Sequence, residues 1–208
     1  MNSLIELSSQ FKAVGFDLDG TLYDEFDFIV QFYHSLSEKL GDQLRIGCYE
    51  HACKIWLEHG SSYPFIFQNM YEKYYFGNLQ LEHFVEYCLM SYRQFKPALQ
   101  LSKRAKFILE TLSESKNLFL VSDGTAELQK QKFDSLGLSS FFTESSQFYT
   151  GTLGSTHYKP SPRILQGSSI EKSSKVIFFG DRDVDQSFAE NCGFTFYFVK
   201  NMELFGAH

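Results

Sequence analysis

The sequence has no excess of positive charge. Its 208 residues include 19 Lys and Arg against 25 Asp and Glu, which gives a formal net charge of −6 at pH 7. A protein that holds nucleic acid through its phosphates needs a basic face, and no run of basic residues provides one. We therefore expect no nucleic-acid partner.

Long hydrophobic runs are also missing. Apolar stretches such as residues 118–121 and 176–179 are far shorter than the roughly 20 residues that a helix needs to cross a bilayer. The first ten residues have neither a basic opening nor an apolar stretch of signal-peptide length. The sequence therefore predicts no membrane partner and a cytoplasmic location.

Cysteine is sparse and follows no pattern. The four cysteines, Cys48, Cys53, Cys88 and Cys192, show no CxxC spacing, and in a chain of this length they do not form a disulfide scaffold. Cys48, His51 and Cys53 invite comparison with a zinc site, but on a helix these positions spread over more than one face. We expect them to be ordinary, partly buried side chains.

Four short apolar runs predict strands that are covered on both faces. They are residues 13–16, 118–121, 176–179 and 194–199. Helical patterns alternate with them over residues 101–115 and 126–136, where Gly137 can provide a left-handed cap, and a further helix is expected from Pro162 or Arg163. The alternation predicts an α/β fold with a Rossmann-like, mostly parallel sheet.

The segment between Thr21 and Leu101 has a different character. It contains no convincing strand over about eighty residues, and apolar residues recur there at helical spacing, as in Phe28, Phe32 and Leu36. We expect four helices. The predicted organisation is an α/β core domain of residues 1–22 and 99–208, with a helical cap domain of residues 23–98 inserted into it.

Polar side chains follow several of the predicted strands. Asp17 and Asp19 come directly after the first, spaced so that both carboxylates could converge on one point, where they would repel each other unless a cation or a shared proton relieved them. Gly180 is followed by Asp181, Asp183 and Asp185, and carboxylate oxygens are ligands that Mg²⁺ prefers. Because ligands bind at the carboxyl ends of parallel strands, this recurrence indicates a site.

Two further segments fit such a site. The second strand is followed by Ser122, Asp123 and Gly124, whose N–H groups at the start of a helix could hold an anion, although an ordinary helix cap would also explain them. Lys159, ahead of Pro160, could neutralise an anion, although a lone lysine of this kind is usually solvated.

Together these residues resemble the four motifs of the haloacid dehalogenase superfamily. Asp17-Leu18-Asp19-Gly20-Thr21, Ser122, Lys159 and the segment from Gly180 to Asp185 occur in the order and setting of those motifs, and the helical insertion stands where members with a cap after the first motif carry it. The resemblance implies a haloacid dehalogenase-like α/β fold with an α-helical cap.

The resemblance also implies a role for each residue. Asp17 would be the nucleophile that forms an aspartyl-phosphate, and Asp19 the acid and base for the leaving alcohol and the attacking water. Ser122, Asp123, Gly124 and Lys159 would bind the phosphoryl group, with Ser122 and Lys159 also counted as catalytic. Asp17, Asp181 and the backbone carbonyl of Asp19 would bind Mg²⁺, with Asp185 behind them or as an alternative ligand. Arg182 could pair with Asp183 or reach the substrate.

The implied activity is that of a Mg²⁺-dependent phosphatase. Its substrate would be a small phosphorylated metabolite, such as a sugar phosphate, phosphoglycolate or a nucleoside monophosphate, and the protein would be a monomer or a homodimer. Asp19 favours phosphate chemistry, because dehalogenases lack an acid at that position. Two alternatives remain open, a phosphomutase or phosphotransferase on the same fold and a non-catalytic phosphate-binding module.

Overall fold

The computed structural model describes residues 3–171 and 173–199. The chain divides into two compact units, one taking in the chain up to Glu25 and from Leu99 onward, and the other Phe26–Ala98. The ends of the predicted core domain, at residues 1 and 208, lie outside the described residues.

The first unit is built on a parallel sheet. Its strands are β1 (Ala13–Phe16), β2 (Asn117–Ser122), β3 (Gln147–Tyr149), β4 (Val176–Gly180) and β5 (Thr195–Phe198). They lie in the order β3-β2-β1-β4-β5, and every neighbouring pair is parallel. The predicted α/β fold class is confirmed. The short edge strand β3 is one that the apolar pattern does not predict.

Eight α-helices occur in the described part of the chain. They are α1 (Ser3–Ser8), α2 (Glu25–Leu40), α3 (Cys48–His59), α4 (Ile66–Tyr74), α5 (Leu81–Arg93), α6 (Lys103–Ser113), α7 (Ala126–Ser135) and α8 (Asp183–Asn191). The helix expected from Pro162 is only a 3-10 turn over Pro162–Leu165, since Gly167, with φ of 79°, and two serines follow it and favour helix poorly. Among the helices that the structure describes, none has the length and apolar character to span a bilayer.

Close packing holds the centre of the sheet. All residues of β1 and β4 are buried, as expected for strands with both faces covered. Gly15 in β1 lies between two aromatic rings: a Cβ atom there would stand 2.3 Å from Phe119 and 2.6 Å from Phe178. The sheet therefore has room for glycine alone at this position.

The second unit is helical and has an aromatic core. Helices α3, α4 and α5 lie within it, together with most of α2. Phe28 and Phe32, one turn apart on α2, are buried and make edge-to-face contacts with Tyr92 and Phe95. Such contacts add to the stabilisation that comes from burying apolar area. The four-residue spacing of the phenylalanines in the sequence therefore marks the helix face that forms the core of this unit.

We predict that Gly15→Ala lowers the free energy of unfolding by about 1–3 kcal/mol, because the added methyl group must displace Phe119 or Phe178. Chemical denaturation measures the change. The double variant with Phe119→Leu should lose less than the sum of the two single losses, since the smaller side chain makes room for the methyl group. Strictly additive losses would show that the Phe119 ring is not what excludes a side chain at position 15.

Candidate active site

Three neighbouring strands end at one edge of the sheet and deliver polar residues there. Asp17 follows the central strand β1, Ser122 ends β2 and Asp181 follows β4. The Asp17 N–H donates to the Phe179 carbonyl over 2.9 Å, which extends the β1–β4 pairing by one residue. The backbone of Asp17 is therefore fixed by the sheet itself.

Lys159 joins the carboxylates of Asp17 and Asp185. Its Nζ lies 2.5 Å from Asp17 Oδ1 and also contacts Asp185 Oδ1, and all three side chains are almost completely buried. Burial alone would lower the pKa of Lys159, but Asp17 and Asp185 outweigh it and raise that pKa. The structure thus keeps a full positive charge beside Asp17.

Asp17, Asp181 and Asp185 form a cluster of carboxylates. One oxygen atom from each lies within 4.8 Å of the others. Burial raises the pKa of Asp17 well above its ordinary value, with Lys159 opposing it; burial and then the Asp185 charge raise the pKa of Asp181 to about 6. Both shifts reflect the cost of placing negative charges close together in a buried site.

Two buried oxygen atoms of the cluster have no hydrogen-bond partner within the described chain, Asp17 Oδ2 and Asp181 Oδ1. Buried polar atoms are seldom left unpaired, and hard divalent cations bind carboxylate oxygens of this kind. The cluster therefore fits a divalent metal. Asp185, expected behind the metal ligands or as an alternative ligand, stands in the cluster itself.

The side chain of Asp19 does not join this cluster. Its Oδ1 accepts hydrogen bonds from Lys132 Nζ, at 2.7 Å, and from the Tyr23 hydroxyl. The sequence spacing suggested that Asp17 and Asp19 could converge on one point, which holds only while the chain stays extended. The strand ends at Phe16 and turns through Gly20, whose φ is 75°, and so the two carboxylates separate.

Gly20 also allows a close approach within the site. A Cβ atom at this position would stand 2.2 Å from Asp181 Oδ2, and the positive φ disfavours any other residue as well. The turn after Asp19 therefore packs directly against the loop that follows β4.

Lys132 is a site residue that the sequence analysis did not identify. Burial alone would raise the pKa of Asp19, but the Lys132 charge, with hydrogen bonds from Lys132, Tyr23 and Gln129, lowers it. Lys132 lies on α7 among the buried residues Leu128, Gln129 and Phe133. Its position on the apolar face of a predicted helix was the signal that could have identified it.

Ser122, at the end of β2, and Asp123, directly after it, have different surroundings. Ser122 is buried, and its Oγ has no hydrogen-bond partner within the described chain, so it is available to an anion. The carboxylate of Asp123 accepts from Thr150 Oγ1 at 2.8 Å and from the Lys159 N–H at 3.1 Å. Asp123 therefore holds the loop that carries Lys159, while Gly124 accepts the Gly151 N–H at 2.9 Å.

Arg182 and Glu25 complete the charged surroundings. Arg182 Nε lies 4.0 Å from Asp181 Oδ1 and 3.9 Å from Asp185 Oδ2. These two acids are within ion-pairing distance of it, whereas the sequence suggested Asp183 or the substrate as its partner. Burial, followed by the charge of Asp19, raises the pKa of Glu25 to about 7. Glu25, at the start of α2, is a second residue that the sequence analysis missed.

Acids and a lysine are gathered at the carboxyl ends of the strands, which is where open parallel α/β sheets bind their ligands. The family comparison makes this specific. The chain belongs to the haloacid dehalogenase-like hydrolase family, whose model matches residues 14–199. The resemblance expected from the four motifs is confirmed.

Solved structures share the fold. A haloacid dehalogenase superfamily hydrolase of subfamily IA from Geobacter sulfurreducens is 22% identical over 90% of this chain and 86% of its own, with a TM-score of 0.65. A Bacillus subtilis protein named as a hydrolase of this superfamily, and bound to magnesium, is 16% identical over 90% of this chain and 88% of its own, with a TM-score of 0.60.

A third structure of the family contains phosphate. It is a hydrolase from Deinococcus radiodurans with bound phosphate and sodium, 17% identical over 90% of this chain and 80% of its own, with a TM-score of 0.60. Among curated protein sequences, none matches this chain.

We predict that Lys159→Met lowers the free energy of unfolding by about 3–5 kcal/mol, because it removes the charge that contacts the buried carboxylates of both Asp17 and Asp185. Urea denaturation measures the loss. Lys106→Met is the matched control, since Lys106 pairs with Glu110 at 4.0 Å on the surface, where such pairs contribute about 0–1 kcal/mol. Equal losses in the two variants would contradict the prediction.

Proposed function

We propose that the protein is a Mg²⁺-dependent phosphatase that hydrolyses a small phosphorylated metabolite through an aspartyl-phosphate on Asp17. One observation carries this proposal. Asp17 is completely buried, one of its oxygens is held by Lys159, and the other has no partner in the described chain. A buried, oriented carboxylate beside a fixed positive charge suits nucleophilic attack on an anionic ester.

The carboxylate cluster supports the metal requirement. In this proposal Asp17, Asp181 and the backbone carbonyl of Asp19 hold Mg²⁺, and Asp185 either joins them or acts through Lys159, which it contacts. When bound there, Mg²⁺ supplies positive charge that reduces the repulsion between the cluster and a phosphoryl group. The magnesium-bound relative from Bacillus subtilis supports the choice of metal.

The reaction proceeds in two displacements. An oxygen of Asp17 attacks phosphorus, and a bond from Asp17 to phosphorus forms. The bond from phosphorus to the leaving oxygen breaks as Asp19 gives that oxygen the proton that it took from water in the preceding turnover. Asp19 then takes a proton from water, whose oxygen attacks phosphorus and releases phosphate from Asp17. Each proton that Asp19 gives is recovered in the second displacement.

Ser122 and Lys159 act on the phosphoryl group in both displacements. The Ser122 hydroxyl, which is buried and unpartnered in the described chain, donates to a phosphoryl oxygen. Lys159 offsets the charge of Asp17 as the phosphate approaches. Phosphoryl transfer depends mainly on positioning and charge stabilisation, and these two side chains supply both.

We predict that the wild-type protein releases phosphate from at least one member of a panel of sugar phosphates, phosphoglycolate and nucleoside monophosphates. Release should require Mg²⁺, stop with a chelator, and fall by several orders of magnitude in Asp17→Asn, because the amide is a poor nucleophile. Colorimetric assay of phosphate gives the rates. Asp183→Asn is the control, since Asp183 is an exposed acid outside the carboxylate cluster.

The outcome separates the alternatives. Labelled phosphate that passes to a second sugar rather than to water would identify a phosphomutase. Phosphate binding without turnover of any ester would identify a binding module. Activity in Asp17→Asn equal to that of the wild type would exclude the aspartyl-phosphate route.

We also predict that Mg²⁺ stabilises the protein without substrate. A ligand present at 100 times its Kd adds about 2.7 kcal/mol to the free energy of unfolding, which thermal unfolding detects as a higher Tm. Asp181→Asn should lose most of this increase, because it removes a charged oxygen of the cluster, while Asp183→Asn should keep it. An increase that survives Asp181→Asn would place the metal elsewhere.

A further inference from the structure

A buried lysine stands behind the second aspartate of the site. The side chain of Lys132 is only 1% exposed, that of Asp19 is 12% exposed, and 2.7 Å separates their charged atoms. Burying an ammonium group is costly unless it is paired and hydrogen-bonded. A buried lysine at this position on α7 therefore calls for an explanation, and its ion pair with Asp19 indicates one.

Two donors hold one oxygen of the Asp19 carboxylate. The Lys132 ammonium and the Tyr23 hydroxyl both donate to the same oxygen, Oδ1. They come from different elements, since Tyr23 lies four residues after Asp19 in the loop after β1 and Lys132 lies 113 residues away on α7. A carboxylate held from two sides at one oxygen has little freedom to rotate, which is how proteins preorganise a reacting group.

The helix that carries Lys132 is itself fixed to the site. Gln129, one turn earlier on the same buried face of α7, donates from Nε2 to the Asp123 carbonyl over 2.9 Å. Asp123 in turn accepts the N–H of Lys159. The start of α7 is therefore bound to the loop after β2, and this sets the position from which Lys132 reaches Asp19.

The two buried lysines of the site have separate partners. Lys159 contacts Asp17 and Asp185, whereas Lys132 contacts Asp19. Because each lysine is already engaged by its own acid, neither can replace the other. Loss of Lys132 leaves Asp17 with its counter-charge and removes the one that contacts Asp19.

We infer that Lys132 is a positioning residue that holds the Asp19 carboxylate in the orientation required for proton transfer to the leaving oxygen. This inference rests on the proposed function, in which Asp19 exchanges that proton. In this inference Lys132 acts on the reaction through Asp19, which it contacts. Its importance is therefore tied to the need of the leaving group for a proton.

The test compares two esters that differ in this need. The leaving alcohol of an alkyl phosphate needs a proton, whereas the leaving group of 2,4-dinitrophenyl phosphate departs as a stable anion. General acid catalysis contributes about 10²–10⁴-fold, so Lys132→Met should lower kcat/KM by about 10–100-fold for the alkyl ester and less than about threefold for the aryl ester. The KM for the alkyl ester should change little.

A neighbouring lysine provides the matched control. Lys130 lies on the same helix, half exposed, paired with Asp134 and 4.9 Å from the Phe133 ring centre. Lys130→Met should leave kcat/KM for both esters near the wild-type values. Equal losses on the two esters in Lys132→Met would indicate a general structural effect and overturn the inference.

A double-mutant cycle tests the dependence on Asp19 directly. In an Asp19→Asn background, Lys132→Met should cause little further loss with the alkyl ester, because the group that it positions is already gone. Multiplied losses would show that Lys132 acts independently of Asp19 and would also overturn the inference.

Circular dichroism and thermal unfolding check that each variant is folded. If Lys132→Met leaves Asp19 with an uncompensated charge and fails to fold, Lys132→Gln, which keeps a neutral donor, replaces it. The same comparison between the two esters then tests the inference. A wild-type protein inactive on every ester would contradict the proposed function and this inference together. An active wild type with unselective losses contradicts this inference alone.

Discussion

Repulsion between carboxylates at one edge of the sheet is the constraint around which the site is arranged. Parallel strands place their carboxyl ends side by side, and in this chain those ends carry Asp17, Asp181 and, one turn further on, Asp185. Lys159 and Arg182 supply two positive charges to these three acids. When all three are ionised, one negative charge remains, and bound Mg²⁺ would make the group positive. An acidic protein would thereby gain a local site for an anionic ester.

The same repulsion explains why the carboxylates of Asp17 and Asp19 have different partners. Both are largely removed from solvent, and the two are only two residues apart, yet their carboxylates are directed to different lysines. Lys159 stands in a loop held by Asp123, and Lys132 on a helix held through Gln129. The result is two carboxylates with different surroundings, which is how enzymes give similar groups separate roles. In the proposed reaction one attacks phosphorus and the other transfers protons.

The sequence predicts most of the sheet and the acids of the site, and what it misses has a physical reason. Runs of apolar residues mark β1, β2, β4 and β5, and Asp17, Asp19 and Asp181 follow such runs directly. Strand β3 has three half-buried residues at the sheet edge and depends on pairing with β2, which no local pattern contains. Lys132 is 113 residues from Asp19, and a lysine on a helix is ordinarily solvated. Only its place on the buried face of α7 distinguishes it from Lys130, so helical periodicity applied to charged residues would have raised this candidate.

The position of Asp17, the proposed nucleophile, within the sheet bears on how precisely it can act. Asp17 follows β1, the central strand, which pairs with β2 on one side and β4 on the other, and its own N–H continues the pairing to Phe179. The Asp17 side chain is therefore carried at the end of a strand that is paired on both sides. Its neighbours Ser122 and Asp181 lie at the ends of the two adjoining strands. Because effective catalysis depends on fixed distances between such groups, the geometry of the proposed reaction is set by strand pairing, and the two buried lysines then adjust the two carboxylates within it.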